Sequence, residues 1–494
     1  MGLPMSLIDR AKRGIPAEVR RAAMREKLEP GRLRRLLLSG RAVIPCNPVH
    51  HPEPVAIGEG LVVKINVNIG TSRDHCSLKE ELVKARTAIS LGADAIMDLS
   101  TGGDTRAIRK AILKAVRIPL GTVPIYETAL ECIRAARPSA QSLREEGGPA
   151  VGRPRAASAR PSSRTNRTAA RRSVQSLREE AGARFSAPAS SRTNRIAARP
   201  SSRNNRIVDM TEDAIFNTIE RQAKEGVDFM TVHCGITRES VMRLKKSGRI
   251  TDIVSRGGAF LSAWILHNGK DNPLYTNFDY LLELARKHEF TLSLGDGLRP
   301  GCIADATDRP QLQELIILGE LVDRARKAKV QAMVEGPGHV PLNQIEANIR
   351  VQKTVCKGAP FYVLGPLVTD IAPGYDHITS AIGGALAGFF GADFICYVTP
   401  SEHLSLPTVE DVRQGTVAAK IAAHAADIAR GIGWERDIAM ARARKALDWD
   451  GQFRHALDPE RARSIRNRHK PKKSERTCTM CGDLCAMAID DEFV

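Results

Sequence analysis

The sequence predicts an α/β fold: a TIM-like (β/α)8 barrel with a small N-terminal region, a C-terminal helical domain and a cysteine-bearing tail. Nine short β-rich runs lie between residues 61 and 399, and helix-period stretches separate most of them. Strands that alternate with helices at this spacing pair in parallel. Nine candidate strands, of which one would be spurious, suit an eight-stranded barrel better than a smaller open sheet. An open doubly wound sheet is the alternative fold.

The first 60 residues predict an N-terminal arm or cap. A helical pattern covers residues 15–38, and a loop that contains Pro45, Pro48, Pro52 and Pro54 follows. Proline lacks a backbone N–H and ends regular structure, so this loop separates the arm from the barrel.

The barrel is predicted over residues 61–405. Its β-rich runs are at 61–69, 94–100, 118–125, 228–233, 252–256, 290–297, 330–336, 361–366 and 393–399. Helix-period stretches between them include 78–91, 212–225, 280–288 and 312–328.

Residues 138–206 interrupt this alternation and repeat themselves. QSLREE occurs at 141–146 and 175–180, and SSRTNR occurs at 162–167 and 190–195. The segment is poor in large apolar residues, so it cannot bury enough surface to offset the entropy of ordering. We predict a disordered insertion in a surface loop, with an arm for an anionic partner as the alternative.

Two regions follow the barrel. The pattern of residues 406–460 predicts a helical domain, with Ala-rich apolar spacing from Val409 onward. Residues 461–494 predict a tail that is basic over 463–476 and then carries a cysteine cluster.

The charge distribution argues against a nucleic-acid partner. Residues 138–206 hold 15 Arg and 4 Glu, so they contribute +11 of the net charge of +18 and leave +7 for the other 425 residues. A nucleic-acid groove would instead carry its basic and aromatic residues on regular elements. No apolar run long enough for a membrane helix and no secretory leader is evident, so the expected location is the cytoplasm, with no membrane partner.

The cysteine cluster predicts a metal site. Cys478, Cys481 and Cys485 lie within eight positions, and three thiolates so close together suit a soft metal centre. A structural zinc or a simple electron-transfer cluster takes four protein ligands. Three cysteines on a [4Fe–4S] cluster would leave one iron open. A zinc knuckle completed by His469, or a redox CxxC pair with a spare cysteine, remains an alternative.

Polar residues follow the predicted strands, where barrel enzymes place their active sites. The segment at Ser255, Arg256 and Gly257 offers a guanidinium and backbone amides to a phosphate. The loop from Asp296 to Arg299 offers an acceptor and a cation. His339 and His403 come from different loops and are candidates for a shared metal, although hydrogen-bonding roles are equally open at this point.

Long motifs give the sequence a family resemblance. VNIGTS, MDLSTGGD, VDFMTVHCGITRES, IVSRGG, SLGDGLRPGCIADATD, MVEGPGHVPLNQI, YVTPSEHL and the terminal CTMCGDLCAM closely resemble the phosphomethylpyrimidine synthase family in its short form. The resemblance covers nearly the whole chain except about residues 138–206.

The resemblance implies a radical S-adenosylmethionine (SAM) reaction that converts aminoimidazole ribotide to hydroxymethylpyrimidine phosphate for thiamine. It implies a [4Fe–4S] cluster on Cys478, Cys481 and Cys485, with SAM at its open iron, and Zn²⁺ on His339 and His403. It also implies a homodimer and a flavodoxin- or ferredoxin-like electron donor. The residues implied to bind the ribotide are Asn68, Met97, Tyr126, His233, Ser255, Arg256, Gly257, Asp296, Gly297, Leu298, Arg299, Glu335 and Tyr362.

Three alternatives and one departure accompany this resemblance. The related 5-hydroxybenzimidazole synthase starts from the same ribotide, and its motifs do not separate it from the first candidate. A nucleic-acid-binding module built on residues 138–206 and a zinc-only hydrolase are the alternatives from other classes. Longer relatives space the cysteines as CxxCxxxxC, whereas three residues separate Cys481 from Cys485 here.

Overall fold

A computed structural model of the protein describes residues 5–135, 207–469 and 476–493. The segment predicted to be a disordered insertion, residues 138–206, lies outside the described residues. Part of the basic tail, residues 470–475, lies outside them as well.

The N-terminal region is mainly helical and ends in a small antiparallel pair of strands. Its own core contains Leu7, Val19, Leu33 and Ile44. The loop between the two strands reaches the barrel, where His50 Nδ1 lies 2.6 Å from the buried carboxylate of Asp228. The elements are α1 Leu7–Arg13, α2 Ala17–Arg25, α3 Pro30–Leu38, β1 Ala42–Val43 and β2 Ile57–Gly58.

Eight parallel strands form a closed barrel, which confirms the predicted fold class. Each strand pairs with the next along the chain, and the last pairs with the first through Ile395 opposite Ile65. Nearly every strand residue is buried, as expected of a parallel sheet covered by helices. The strands are β3 Lys64–Ile69, β4 Ala95–Asp98, β5 Leu120–Thr122, β6 Phe229–Val232, β7 Thr291–Leu294, β8 Ala332–Gly336, β9 Phe361–Leu364 and β10 Phe394–Cys396.

Amphipathic helices surround the barrel. In the longest helix that lies between two strands, Leu318, Leu321, Val322 and Ala325 face the core at helical spacing. The helices are α4 Leu78–Ser90, α5 Thr105–Ala115, α6 Pro124–Ala135, α7 Glu212–Glu225, α8 Arg238–Ser247, α9 Arg256–Asn268, α10 Pro273–Thr276, α11 Phe278–His288, α12 Arg309–Lys327, α13 Ile345–Val355 and α14 Asp376–Phe390. Short 3-10 turns lie at Ile207–Asp209, Ile303–Asp305 and Leu342–Gln344.

The strand predicted at residues 252–256 is wrong, and it is the one in excess. The chain there is a loop that leads into α9, and Ser255 is the N-cap of that helix. Its hydroxyl oxygen accepts the backbone N–H of Gly258 at 3.2 Å. Serine stabilises a helix N-terminus in this way, and this local bond prevails over the weak β-propensity of a five-residue run.

Among the described residues, five helices follow the last barrel strand. They are α15 Val409–Ala429, α16 Trp434–Lys445, α17 Trp449–His455, α18 Pro459–Arg466 and α19 Ala486–Phe493, with a 3-10 turn at Gly482–Leu484. The first of them packs against α14 and α4, and Asp427 at its end accepts the backbone N–H of Val63 at 3.1 Å. Within the described ranges, no helix is both long and apolar enough to cross a membrane.

Candidate active site

A cavity opens at the carboxyl ends of the barrel strands. Because parallel strands in a closed barrel all end at one rim, residues far apart in sequence meet there. Eight of the predicted binding residues line the cavity: Asn68, Met97, Tyr126, His233, Asp296, Arg299, Glu335 and Tyr362. They come from seven different strand ends.

Two carboxyl groups and a guanidinium define the charge of this cavity. Arg299 Nη1 lies 3.1 Å from Asp296 Oδ1. Burial raises the pKa of Asp296 to about 7, against the opposing effect of Arg299. Burial also raises the pKa of Glu335, whose Oε1 accepts the hydroxyls of Thr231 and Ser293 at 2.6 and 2.8 Å. The pair of acids and the single cation suit a ligand with both amine and anionic groups.

His233 is neutral in this setting. Its side chain is buried, and burial together with the nearby Arg299 lowers its pKa to about 3. Its Nδ1 has no hydrogen-bond partner within the part of the chain that the structure describes. A buried nitrogen that can still donate or accept is available to a ligand.

The segment from Ser255 to Gly258 approaches the cavity from outside the strands. A Cβ at Gly257 would collide with the His233 ring, and one at Gly258 would collide with the carbonyl of Gly297. The Arg256 guanidinium lies 4.9 Å from the centre of the Tyr126 ring. The backbone amides at the start of α9 thus lie beside the cavity, in the arrangement that binds anions at helix N-termini.

Five predicted binding residues do not line this cavity: Ser255, Arg256, Gly257, Gly297 and Leu298. The first three lie at the start of α9. The Leu298 side chain is fully buried in the hydrophobic core, so it does not reach the cavity.

Sequence reasoning missed several side chains of the cavity. Cys396 lines it, and its Sγ lies 3.1 Å from Asn68 Nδ2. Thr231 lines it too, and strand alternation would have found this residue, because it precedes His233 by two positions and shares its face. Asn66 donates to the Tyr362 hydroxyl at 2.8 Å and so orients that ring.

His339 and His403 lie side by side. Their ring centres are 5.2 Å apart, although 64 residues separate them in the chain. His339 Nδ1 is 2.8 Å from Asp370, and His403 Nδ1 is 3.2 Å from Asp376. A carboxylate at Nδ1 fixes the tautomer that leaves the Nε2 lone pair for a metal. The half-buried Glu402 adjoins them, and partial desolvation raises its pKa.

The three cysteines of the tail form a compact loop outside the barrel cavity. The chain curls at Gly482, where φ is +51°, and the N–H of Gly482 donates to the Cys478 carbonyl at 2.9 Å. The backbone N–H groups of Cys481 and Met480 lower the pKa of Cys478. A thiol that ionises readily is the chemistry that a soft metal needs.

Neither candidate metal site is preformed. Throughout residues 5–135, 207–469 and 476–493, no three His, Cys, Asp or Glu side chains converge in a metal-binding arrangement. The fit to a metal therefore rests on the chemistry of the three thiols and of the two histidine–carboxylate pairs. It does not rest on a complete set of ligands already in place.

Two side chains fasten the cysteine loop to the C-terminal helices. Trp449 Nε1 donates to the Arg476 carbonyl at 2.7 Å, and Arg466 Nη2 donates to the Thr477 carbonyl at 2.9 Å. Arg466 also stacks on the Trp449 ring, 3.9 Å from its centre. These contacts therefore fix the position at which the cysteine loop begins, next to the C-terminal helices.

A closed parallel barrel with a polar, charged mouth and a separate thiolate loop defines a class of barrel enzyme that carries a metallocofactor. The model of the Radical SAM ThiC family matches residues 6–147 and 171–492. The chain belongs to this family. Between these two matched stretches, the family model leaves residues 148–170 unmatched. This gap is shorter than residues 138–206, the segment for which the motifs gave no resemblance.

Individual relatives agree with the family match. A phosphomethylpyrimidine synthase of Methanocaldococcus jannaschii is 51% identical over 492 residues, which cover 99% of each chain. Relatives of the same name from Desulforamulus reducens and Moorella thermoacetica are 51% and 50% identical, over 97% and 99% of this chain and 96% and 98% of their own lengths. The activity is that of a radical-SAM phosphomethylpyrimidine synthase in thiamine biosynthesis, which implies an iron–sulfur cluster and SAM.

Proposed function

We propose that the barrel cavity binds aminoimidazole ribotide for conversion to hydroxymethylpyrimidine phosphate. The observation that carries this proposal is the convergence on one cavity of eight side chains from seven strand ends, seven of them polar or aromatic. Arg299, Arg256 and the amides at the start of α9 are suited to the phosphate. Asp296 and Glu335 are suited to the amine and the ring nitrogens.

Cys478, Cys481 and Cys485 are the proposed ligands of a [4Fe–4S] cluster with an open iron. The lowered pKa of Cys478 and the turn at Gly482 support this assignment. When bound to these three cysteines, the cluster would supply the electron for reductive cleavage of SAM. The residues of the barrel then hold the ribotide and exclude water.

His339 and His403 are the proposed zinc ligands. The support is their proximity and the carboxylate that faces each Nδ1, an arrangement common to zinc-binding histidines. Zinc in this position would offer its remaining coordination sites to oxygen or nitrogen ligands.

A homodimer is part of the proposal, and surface chemistry supports it. Ile371 and Leu404, on loops that follow β9 and β10, are 90% and 62% exposed. Met480 and Leu484 in the cysteine loop are 91% and 82% exposed. Apolar surface of this kind is typical of an interface. The cysteine loop of this chain does not line its own cavity, so a partner's loop is the proposed cover.

The remaining parts of the proposal concern the electron donor and the compartment. A flavodoxin- or ferredoxin-like protein is proposed as the reductant of the cluster. The cytoplasm is the proposed location, because the buried thiols of Cys234, Cys356 and Cys396 are reduced and suit a reducing compartment.

The test replaces the cluster ligands and keeps the barrel. Anaerobically reconstituted wild-type protein should show a [4Fe–4S] EPR signal that changes on addition of SAM, and it should convert aminoimidazole ribotide to hydroxymethylpyrimidine phosphate. Cys478→Ala, Cys481→Ala and Cys485→Ala should each abolish the signal and turnover but retain ribotide binding. Cys302→Ala is the matched control, because this thiol lies outside the cluster motif. Unchanged turnover in the cluster variants, or a benzimidazole product from wild type, would refute the proposal.

A further inference from the structure

A second, smaller cavity adjoins the barrel cavity and shares Asp296 and Arg299 with it. Glu314 from α12, which is not a predicted binding residue, also lines this second cavity. Glu335, Gln311 and Asn348 complete its polar lining. Glu314 is 2% exposed, and its side chain accepts a hydrogen bond from Leu298, which lies 16 residues earlier in the chain.

Glu314 holds the backbone of the loop that presents Asp296 and Arg299 to the cavity. Its Oε2 accepts the N–H of Leu298 at 2.7 Å. From the other side, the fully buried Arg249 donates to the carbonyls of Leu298 and Arg299 at 2.6 and 3.2 Å. The backbone of Leu298 is therefore held at both its N–H and its carbonyl, and these two bonds fix the loop that carries Asp296 and Arg299.

Two oxygen atoms at this second cavity remain unsatisfied. Neither Glu314 Oε1 nor Asp296 Oδ2 has a hydrogen-bond partner among the described residues. Buried carboxyl oxygens normally find a donor, and where none is present, protonation of the carboxyl group removes the cost of a buried negative charge. Burial, with the Asp296 charge as a second cause, raises the pKa of Glu314 to about 8.

The charged surroundings of Glu314 favour the proton on this residue rather than on Asp296. Arg299 forms an ion pair with Asp296 at 3.1 Å and favours its ionised form. Arg249 is the cation that acts on Glu314, but its guanidinium is engaged by Asp308 at 2.8 Å. The other titratable groups nearby are Glu335 across the cavity and the buried thiol of Cys234.

We propose that Glu314 is a positioning residue for the loop from Asp296 to Arg299, and that it acts as a neutral, protonated carboxyl group. In this form Glu314 still accepts the backbone N–H of Leu298. Glu314 and Asp296 together then carry one negative charge, and it lies on Asp296, which faces the ligand. The inference rests on the proposed ribotide site and adds to it a residue that touches no ligand.

Two substitutions separate the acceptor from the charge. Glu314→Gln keeps a carbonyl oxygen for Leu298 and carries no charge, so ribotide affinity should stay within about threefold of wild type. Glu314→Met has a similar length and no acceptor, so affinity should fall about tenfold, the equivalent of one lost hydrogen bond. The measurement is calorimetric titration of the full chain without cluster by aminoimidazole ribotide.

The pH profile of the reconstituted enzyme provides a readout that a purely structural role would not change. In wild type, KM should rise above about pH 8, where Glu314 ionises beside Asp296. In Glu314→Gln this rise should be absent. The pH profile does not depend on whether the Met variant folds, because it compares wild type with the Gln variant, which keeps the hydrogen bond to Leu298.

Three results would overturn the inference: a Gln variant as weak as the Met variant, a Met variant that binds like wild type, or a KM rise that persists in the Gln variant. Failure of wild-type protein to bind the ribotide would instead defeat the proposed function. The two failures are therefore distinguishable.

Discussion

Two loops at the barrel mouth are held by the same device in different electrostatic settings. In the first, Glu81 of α4 accepts the N–H of Gly70 at 2.7 Å and forms an ion pair with Lys84 at 2.8 Å. In the second, Glu314 of α12 accepts the N–H of Leu298, and its closest cation is engaged elsewhere. Both carboxyl groups are buried. A buried acid is tolerated either as an ion pair or as a neutral group, and the barrel uses one solution at each loop.

The largest effect should come from removal of the cation in the first loop. Lys84→Met leaves Glu81 as an uncompensated buried charge, so the free energy of unfolding should fall by about 3–5 kcal/mol. Urea unfolding of the full chain measures this loss. The double variant Glu81→Leu with Lys84→Met removes both charges and should recover a large part of it; failure to recover would mean that the loop contact, not the charge, dominates.

A smaller difference in stability is expected between alanine substitutions at the glycines of the two loops. Gly70 has φ +150°, and a Cβ there would lie 2.5 Å from the Ser100 nitrogen and 2.6 Å from the Leu99 carbonyl carbon. Gly70→Ala should therefore cost about 3 kcal/mol, from backbone strain and overpacking together. Gly297→Ala meets the flexible end of Ile236 and should cost about 1 kcal/mol. Equal losses of thermal stability in the two variants would contradict this difference.

The smallest effect separates the two acids directly. At pH 7, Glu81→Gln leaves Lys84 with only the more distant Glu80, at 3.2 Å, and should cost about 1–3 kcal/mol. At a pH below 4.5, where Glu314 is protonated in the folded and the unfolded chain alike, Glu314→Gln should cost less than about 1 kcal/mol, because one neutral group replaces another of the same shape.

The pH dependence of stability sharpens this last comparison. Burial raises the pKa of Glu314 to about 8 in the folded state, whereas in the unfolded state it is near 4.5, the ordinary value for a glutamate. Between these values the folded chain keeps a proton that the unfolded chain has lost, so rising pH destabilises wild type. The Gln variant cannot titrate, and its stability relative to wild type should therefore increase from about pH 5 to pH 8. Urea midpoints at three pH values test this, and a constant difference would contradict a protonated Glu314.

Most of the fold could be predicted from sequence, because alternating strands and helices leave few parallel topologies. Eight of the nine predicted strands exist, and the ninth failed because a serine cap outweighs β-propensity over five residues. Of the site, the residues at or just beyond the strand ends were predictable from position alone, Glu335 and Asp296 among them. Glu314 was not, because it lies on an apolar-patterned helix and nothing local distinguishes it from a surface acid.

The sequence by itself determined the order of the elements, the thiolate loop and the polar character of each strand end. These are local properties, set by side-chain period, proline and glycine placement, and ligand spacing. Only the tertiary structure decided which polar groups meet, which carboxyl is paired with a cation, and which is left to hold a proton. Those outcomes depend on barrel closure, because closure sets the distances between residues remote in sequence and removes them from water, and the energy of a buried charge depends on both.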